Sequence, residues 1–213
     1  MNAELTNALT NGMHATCLCL YFVAATRAMQ RGDGKFTAMV VGFFFLTFVL
    51  KIMGVLVHYA PDWELVDELW VGIALGVILL NYLILHALRF PPLYRLGGLL
   101  FSVGCTALVA MSGRFNFIAV EIAVINLAAA LYCGGRLRIG FLGVVASNLV
   151  WLAAREGGNA LLGYEVPIAW RYDNDLYHLM LIVSTFVIYK GFARGDRLPG
   201  RAEAEASEKA EVA

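Results

Sequence analysis

The chain has 213 residues, of which 60% are hydrophobic and only 15% are charged, and its formal net charge is zero. Soluble domains usually carry about 25% charged residues, so this composition excludes an ordinary soluble domain. The balanced charge offers no basic surface, and no nucleic acid partner is expected. The four cysteines form no C-x-x-C pair, which argues against a zinc knuckle or a disulfide framework.

Apolar runs long enough to cross a bilayer recur along the chain. About 18 or more apolar residues in a helix span roughly 30 Å of hydrocarbon, whereas an open sheet would leave unpaired backbone groups in lipid. We therefore predict an all-α, polytopic membrane protein with seven transmembrane helices. In chain order, the predicted spans are residues 13–29, 36–59, 69–88, 96–111, 115–133, 139–154 and 176–192.

Three regions are predicted: a polar N-terminal entry (1–12), one transmembrane domain (13–193) and a disordered, charged cytoplasmic tail (194–213). Lys and Arg are concentrated in the tail and in the loops after the first, third and fifth spans. Because basic residues favour the cytoplasmic side, the N-terminus is predicted outside and the C-terminus inside. The short loops favour a bacterial inner membrane.

The predicted topology brings histidines and carboxylates together near the outer ends of the spans. Zinc takes histidine nitrogens and carboxylate oxygens as ligands. The alternative is that interfacial histidines satisfy helix ends or lipid headgroups, since no two histidines have i, i+4 spacing. The candidate metal ligands are His14, His58, Asp175 and His178.

Two charges are predicted to lie deeper in the membrane. Lys51 precedes His58 by seven residues and so lies on the same face of its helix, which Gly54 also lines. Glu121 lies in the fifth span. A lone charge at the bilayer centre costs about 2.5–3.5 kcal/mol on insertion scales. We therefore predict that Lys51 and Glu121 face the bundle interior and pair, either as a structural ion pair or as the charged floor of a cavity.

Three segments carry recognisable patterns: AELTNALTN near the start, the stretch from Gly54 to His58 with the LVDEL that follows, and NDLYHLMLIVSTFVIYKG near the end. They resemble, in turn, the entry to the first helix, the S-x-x-x-H motif with its following aspartate, and the H-x-x-x-H seventh helix of alkaline ceramidases. These enzymes belong to the seven-helix membrane hydrolase superfamily that also holds the adiponectin-receptor-like proteins. The resemblance covers the whole chain in architecture but only these segments in motif.

The resemblance implies that His58 and His178 hold zinc, and that Asp67 assists the attack of a zinc-bound water on a lipid amide. Zinc lowers the pKa of its bound water to about 7 and polarises the carbonyl. However, Asn174 stands where the family has the first histidine of H-x-x-x-H, and Gly54 replaces the serine. Two histidines hold zinc poorly, so His14, Asp175 or Asp67 would have to supply a third ligand, or the site is inactive.

Three functions are compatible with these residues. The first is a zinc-dependent hydrolase of lipid amides at the outer leaflet, with membrane lipids as its substrates. The second is a non-catalytic lipid-binding receptor or an accessory subunit of a larger membrane complex, which the changes at Gly54 and Asn174 favour. The third is a small-solute or proton transporter that uses Lys51 and Glu121. The lack of an inverted repeat weighs against the third.

Overall fold

The computed structural model describes residues 3–60, 62–112, 116–162 and 172–196. Within these ranges it contains seven helices and no strands, which confirms the predicted all-α fold for the described part of the chain. The helices are α1 (Ala3–Gln30), α2 (Ala38–Tyr59), α3 (Val66–Ala87), α4 (Pro92–Ser112), α5 (Asn116–Tyr132), α6 (Gly135–Leu162) and α7 (Asp173–Arg194).

Six of these helices are long and apolar enough to cross a membrane: α1, α2, α3, α4, α6 and α7. The chain is therefore a multi-pass membrane protein. The remaining helix, α5, is apolar but has only 17 residues, which corresponds to about 26 Å at 1.5 Å per residue.

Two boundaries in the structure bear on the predicted regions at the ends of the chain. The helix α1 already begins at Ala3, so residues 3–12 of the predicted polar entry are its first turns. Most of the predicted tail, from residue 197 onward, lies outside the described residues.

The helices form a closed ring. Each helix packs against the next along the chain, and α1 also packs against α7. Since α3 also contacts α5, α4 lies on the periphery and packs only against these two helices within the described chain. Six helices therefore surround a common interior. Its upper end is defined here as the end where α1 and α7 begin and α2 ends, and its lower end is the opposite one.

Local signals at helix ends explain several boundaries. Thr37 caps α2 by accepting a hydrogen bond from the backbone N–H of Val40 at 3.4 Å. Pro92 begins α4, where its missing N–H costs no helical hydrogen bond. Gly195 ends α7 in the left-handed conformation, with φ of 68°. Asp196 then accepts a hydrogen bond from the backbone N–H of Arg136 at 2.5 Å, which joins the end of α7 to the start of α6.

An aromatic cluster fills the lower end of the interior. The rings of Tyr21 and Tyr189 stack with their centroids 4.9 Å apart, and the fully buried Phe44 packs edge-on against both Tyr21 and Tyr189. Phe192 packs edge-on against Phe44 from the end of α7. These contacts hold α1, α2 and α7 together below the polar residues described next.

Candidate functional site

A cavity of about 420 Å³ lies inside the ring of helices. Residues of α1, α2, α3, α5, α6 and α7 line this cavity. The peripheral helix α4, all of whose residues are described, contributes none. Small-molecule sites commonly have volumes of about 300–1,000 Å³. The cavity is therefore large enough for a small organic ligand or a lipid chain.

The two ends of the cavity differ in chemical character. The upper part is polar and aromatic, and is lined by Lys51, His58, Trp70, Trp151, Arg155, Asp173, Asn174 and His178. The lower part is mostly apolar: Phe43, Leu80, Ile84, Val144, Leu181 and Ile188 line it, beside the polar Thr47, Asn126 and Thr185. Along α2, His58 and Phe43 are roughly 22 Å apart at 1.5 Å per residue. The cavity is thus an elongated, amphipathic space.

Lys51 and His178 meet near the boundary between these two parts. Nζ of Lys51 lies 3.3 Å from Nδ1 of His178 and 5.5 Å from the centre of the Tyr177 ring. On the other side of the imidazole, Nε2 of His178 lies 2.9 Å from Nδ2 of Asn11. The same Asn11 nitrogen donates a hydrogen bond to the backbone oxygen of Asn7 at 3.1 Å. Both ring nitrogens of His178 therefore face N–H groups.

The other two predicted histidines line the same cavity. His14 is fully buried, and its Nε2 lies 3.1 Å from Oγ1 of Thr185. Because that hydroxyl donates its hydrogen to the backbone oxygen of Leu181 at 2.8 Å, Nε2 of His14 is the donor in this contact. Nδ1 of His14 has no hydrogen-bond partner in the described part of the chain. His58 packs edge-on against Trp70, with ring centroids 6.4 Å apart.

Asn174 and Gly54 also line the cavity. Oδ1 of Asn174 accepts a hydrogen bond from Nε1 of Trp151 at 2.5 Å, which joins α7 to α6 beside the cavity. A Cβ atom on Gly54 would lie 3.1 Å from Oδ1 of Asn11, closer than most such contacts. Because Gly54 has no side chain, Asn11 can approach α2 closely and reach His178.

Three predicted site residues do not line the cavity: Asp175, Asp67 and Glu121, the last of which is described below. Asp175 accepts a hydrogen bond from Oγ1 of Thr10 at 2.9 Å, a contact between α7 and α1. Asp67 is exposed in the first turn of α3. The sequence patterns do not predict that Asn11, Trp151 and Tyr177 also line this cavity. The position of Asn11 four residues after Asn7 and three before His14 was the available signal, because this spacing puts all three on one helical face.

The prediction that Lys51 and Glu121 pair is wrong. Glu121 is fully buried, but its Oε1 accepts a hydrogen bond from Nδ2 of Asn81 on α3 at 2.7 Å. Lys51 instead contacts His178 and Tyr177 on α7. Glu121 is not part of the cavity lining either. Both residues do face the protein interior, but they point toward different helices.

The donor atoms of this cavity do not fit zinc in the arrangement observed. Zinc needs several donor atoms, each about 2.0–2.3 Å from one point. In the described segments, no group of three or more His, Cys, Asp or Glu side chains is placed to hold a metal ion. Nδ1 of His178 faces Lys51, whose positive charge would repel a metal ion, and Nε2 faces Asn11.

These features define a class: a multi-pass helical membrane protein with an amphipathic cavity inside a closed ring of helices. Comparisons with protein-family models, curated proteins and solved structures found no match for this chain. The resemblance to alkaline ceramidases therefore stays a prediction from the sequence segments named above.

Proposed function

We propose that the protein binds an amphiphile with an apolar chain and an anionic headgroup inside this cavity. The observation that carries the proposal is the excess of N–H groups around His178. If Lys51 donates to Nδ1, the imidazole hydrogen lies on Nε2, which then faces an N–H of Asn11. The N–H groups of Lys51, His178 and Asn11 thus meet, with too few acceptor atoms among them. The oxygens of an anionic headgroup would accept hydrogen bonds from all of them.

The positive charge of Lys51 also favours a ligand with an anionic headgroup. Lys51 forms no ion pair with a carboxylate of the described residues. An unpaired ammonium within a membrane is costly, by about 2.5–3.5 kcal/mol on insertion scales. A headgroup with one negative charge would offset this cost, and charge-assisted hydrogen bonds are roughly twice as strong as neutral ones.

The apolar part of the cavity suits the chain of such a ligand. With its headgroup at Lys51, the chain would extend toward Phe43, Ile84 and Ile188 in the lower part. Burial of each methylene group contributes about 0.8 kcal/mol. The proposal includes the topology predicted from the basic loops, with all seven helices crossing a bacterial inner membrane and the upper end outside. The headgroup would then enter from the outer leaflet.

Binding can be tested with three amphiphiles of equal chain length: tetradecanoic acid, tetradecanol and tetradecylamine. With purified protein in nanodiscs, we expect saturable binding of the acid, about tenfold weaker binding of the alcohol, and none of the amine, because an ammonium headgroup would be repelled by Lys51. Ile84→Trp, which fills the lower part of the cavity, should abolish binding of the acid. Equal, non-saturable uptake of all three would contradict the proposal.

A zinc-dependent hydrolase of lipid amides, related to the ceramidases, is the second candidate. The observation that favours it is that His14, His58 and His178 line one cavity with room for a lipid chain. This function would require Lys51 to move away from His178, since the ammonium faces a nitrogen that a metal would need.

Metal content separates the two candidates. We expect protein purified without chelator to hold much less than one zinc per chain, and zinc addition not to raise its melting temperature. His178→Ala should leave the metal content unchanged, as should His86→Ala, which alters a histidine packed against Tyr82 outside the cavity. One zinc per chain that is lost in His178→Ala but retained in His86→Ala would support the hydrolase instead.

A further inference from the structure

A second buried polar cluster joins α3, α4 and α5, away from the cavity. It consists of Asn81, Ser102 and Glu121, each at most 1% exposed. Nδ2 of Asn81 donates hydrogen bonds to Oε1 of Glu121 at 2.7 Å and to Oγ of Ser102 at 3.1 Å. One side chain from α3 therefore holds a carboxyl of α5 and a hydroxyl of α4 together.

The second oxygen of the Glu121 carboxyl is left without a partner. Oε2 is buried and has no hydrogen-bond partner among the described residues, and the same holds for Oδ1 of Asn81. Glu121 forms no ion pair within the described chain. A buried carboxylate with one bare oxygen and no counter-charge is expensive. A positive charge or a bound proton would therefore be favourable at this site.

The neighbouring helices do not supply this charge. On α3 the polar neighbour is Asn81, and α4 contributes Ser102 and the thiol of Cys105. On α6, which also packs against α5, ionisable residues occur only in the outer turns of the helix. They are Arg136, Arg138, Arg155 and Glu156.

A proton suits this site better than a metal ion does. Carboxylates and carbonyls bind hard cations through several oxygens at once. Here the amide of Asn81 presents its N–H groups, rather than its carbonyl oxygen, to Glu121 and Ser102. A proton needs only the bare Oε2, and its uptake converts the carboxylate into a neutral carboxyl without any other ligand.

We propose that Glu121 is a proton-binding site, and that the proton it holds controls how tightly α4 packs against α3 and α5. The buried residues of α4 are Ser102, Cys105 and Val109, and the hydrogen bond to Ser102 is the polar contact that attaches this helix to Asn81 on α3. Loss of the proton leaves a carboxylate that attracts water into this contact, and α4 loosens. This proton site is independent of the ligand in the cavity.

Infrared spectroscopy tests the proton directly. The full chain in nanodiscs should show the carbonyl band of a protonated carboxyl at neutral pH, and the band should disappear as the pH is raised. Glu121→Gln should lack the band at every pH, whereas Glu156→Gln, which alters an exposed carboxyl, should retain it. Should Glu121→Gln not fold, Asn81→Ala must still shift the band. A band that persists in Glu121→Gln, or no band at any pH, would overturn the proposal.

The packing of α4 provides the second readout. In a variant that keeps Cys105 alone, labelling by a maleimide should rise with pH more steeply than in the same variant carrying Glu121→Gln. Dividing the labelling rate with Glu121 by the rate with Glu121→Gln removes the ordinary effect of pH on the thiol. We expect this ratio to rise at least about fivefold as the pH is raised. A constant ratio would overturn the coupling to α4. If Na⁺ but not K⁺ slows the labelling of Cys105 at fixed pH, the site binds sodium and the proton assignment is overturned.

Discussion

Replacing Lys51 by methionine should weaken the binding of tetradecanoic acid by about tenfold to a hundredfold, with little effect on tetradecanol. A hydrogen bond to a charged group contributes about 1.5–3 kcal/mol, and each 1.4 kcal/mol is a factor of ten in affinity. Methionine keeps most of the side chain's apolar volume, so the cavity should keep its shape. Titration of both amphiphiles against the variant in nanodiscs measures the selectivity for the acid.

Two control variants accompany this prediction. Lys51→Arg retains the positive charge and should bind the acid within about tenfold of the wild-type protein, since a single displaced hydrogen bond is worth about 1 kcal/mol. Lys35→Met removes an exposed lysine that pairs with Asp33 outside the cavity, and should bind like wild type. If Lys51→Met binds the acid as tightly as these controls do, the ammonium does not recognise the headgroup.

The second large effect is expected at Gly140, where α6 packs closely against α7. A Cβ atom there would lie 2.5 Å from Cγ1 of Ile188, 2.9 Å from its backbone nitrogen and 3.0 Å from the backbone oxygen of Ser184. Backbone atoms cannot move aside as a side chain does. Gly140→Ala should therefore lower the free energy of unfolding by about 1–3 kcal/mol, as overpacking does in other cores. Denaturant unfolding in detergent micelles measures it.

Gly104 on α4 is the matched control for this substitution. No heavy atom lies within 4 Å of the position that its Cβ would take. Gly104→Ala should therefore leave stability unchanged or raise it by up to about 1 kcal/mol, because alanine is the better helix former. Equal destabilisation by the two substitutions would show that close packing of α6 on α7 does not explain the effect at Gly140.

The contact between α6 and α7 also affects the proposed ligand site. Small residues let helix backbones approach closely in membranes, where lipid provides no hydrophobic force between helices. Gly140 and Gly143 on α6 face Ser184 and Ile188 on α7 in this way. Below the hydrogen bond between Trp151 and Asn174, they hold α7 at the distance that places His178 beside Lys51. We therefore expect Gly140→Ala to weaken ligand binding as well as stability.

Hydropathy, length and the positions of a few polar residues along the chain were enough to predict part of this protein. The all-α fold and its multi-pass membrane character follow from apolar runs that only helices can accommodate in lipid. The shared location of His14, His58 and His178 follows from the alternating direction of successive helices, which determines the depth of each residue. The same reasoning correctly predicted that Lys51 and Glu121 face the interior.

Only the tertiary structure decided which side chains meet. Depth along a helix can be counted in residues, but the direction of a side chain around the helix axis depends on which neighbours pack against it. The ring arrangement turns Lys51 toward His178 on α7 and Glu121 toward Asn81 on α3, so two charges predicted to pair belong to separate sites. It also leaves Asp67 exposed and brings Asn11 to His178 through the space that Gly54 leaves. Such contacts arise from the packing of helices distant in sequence, which local sequence patterns do not encode.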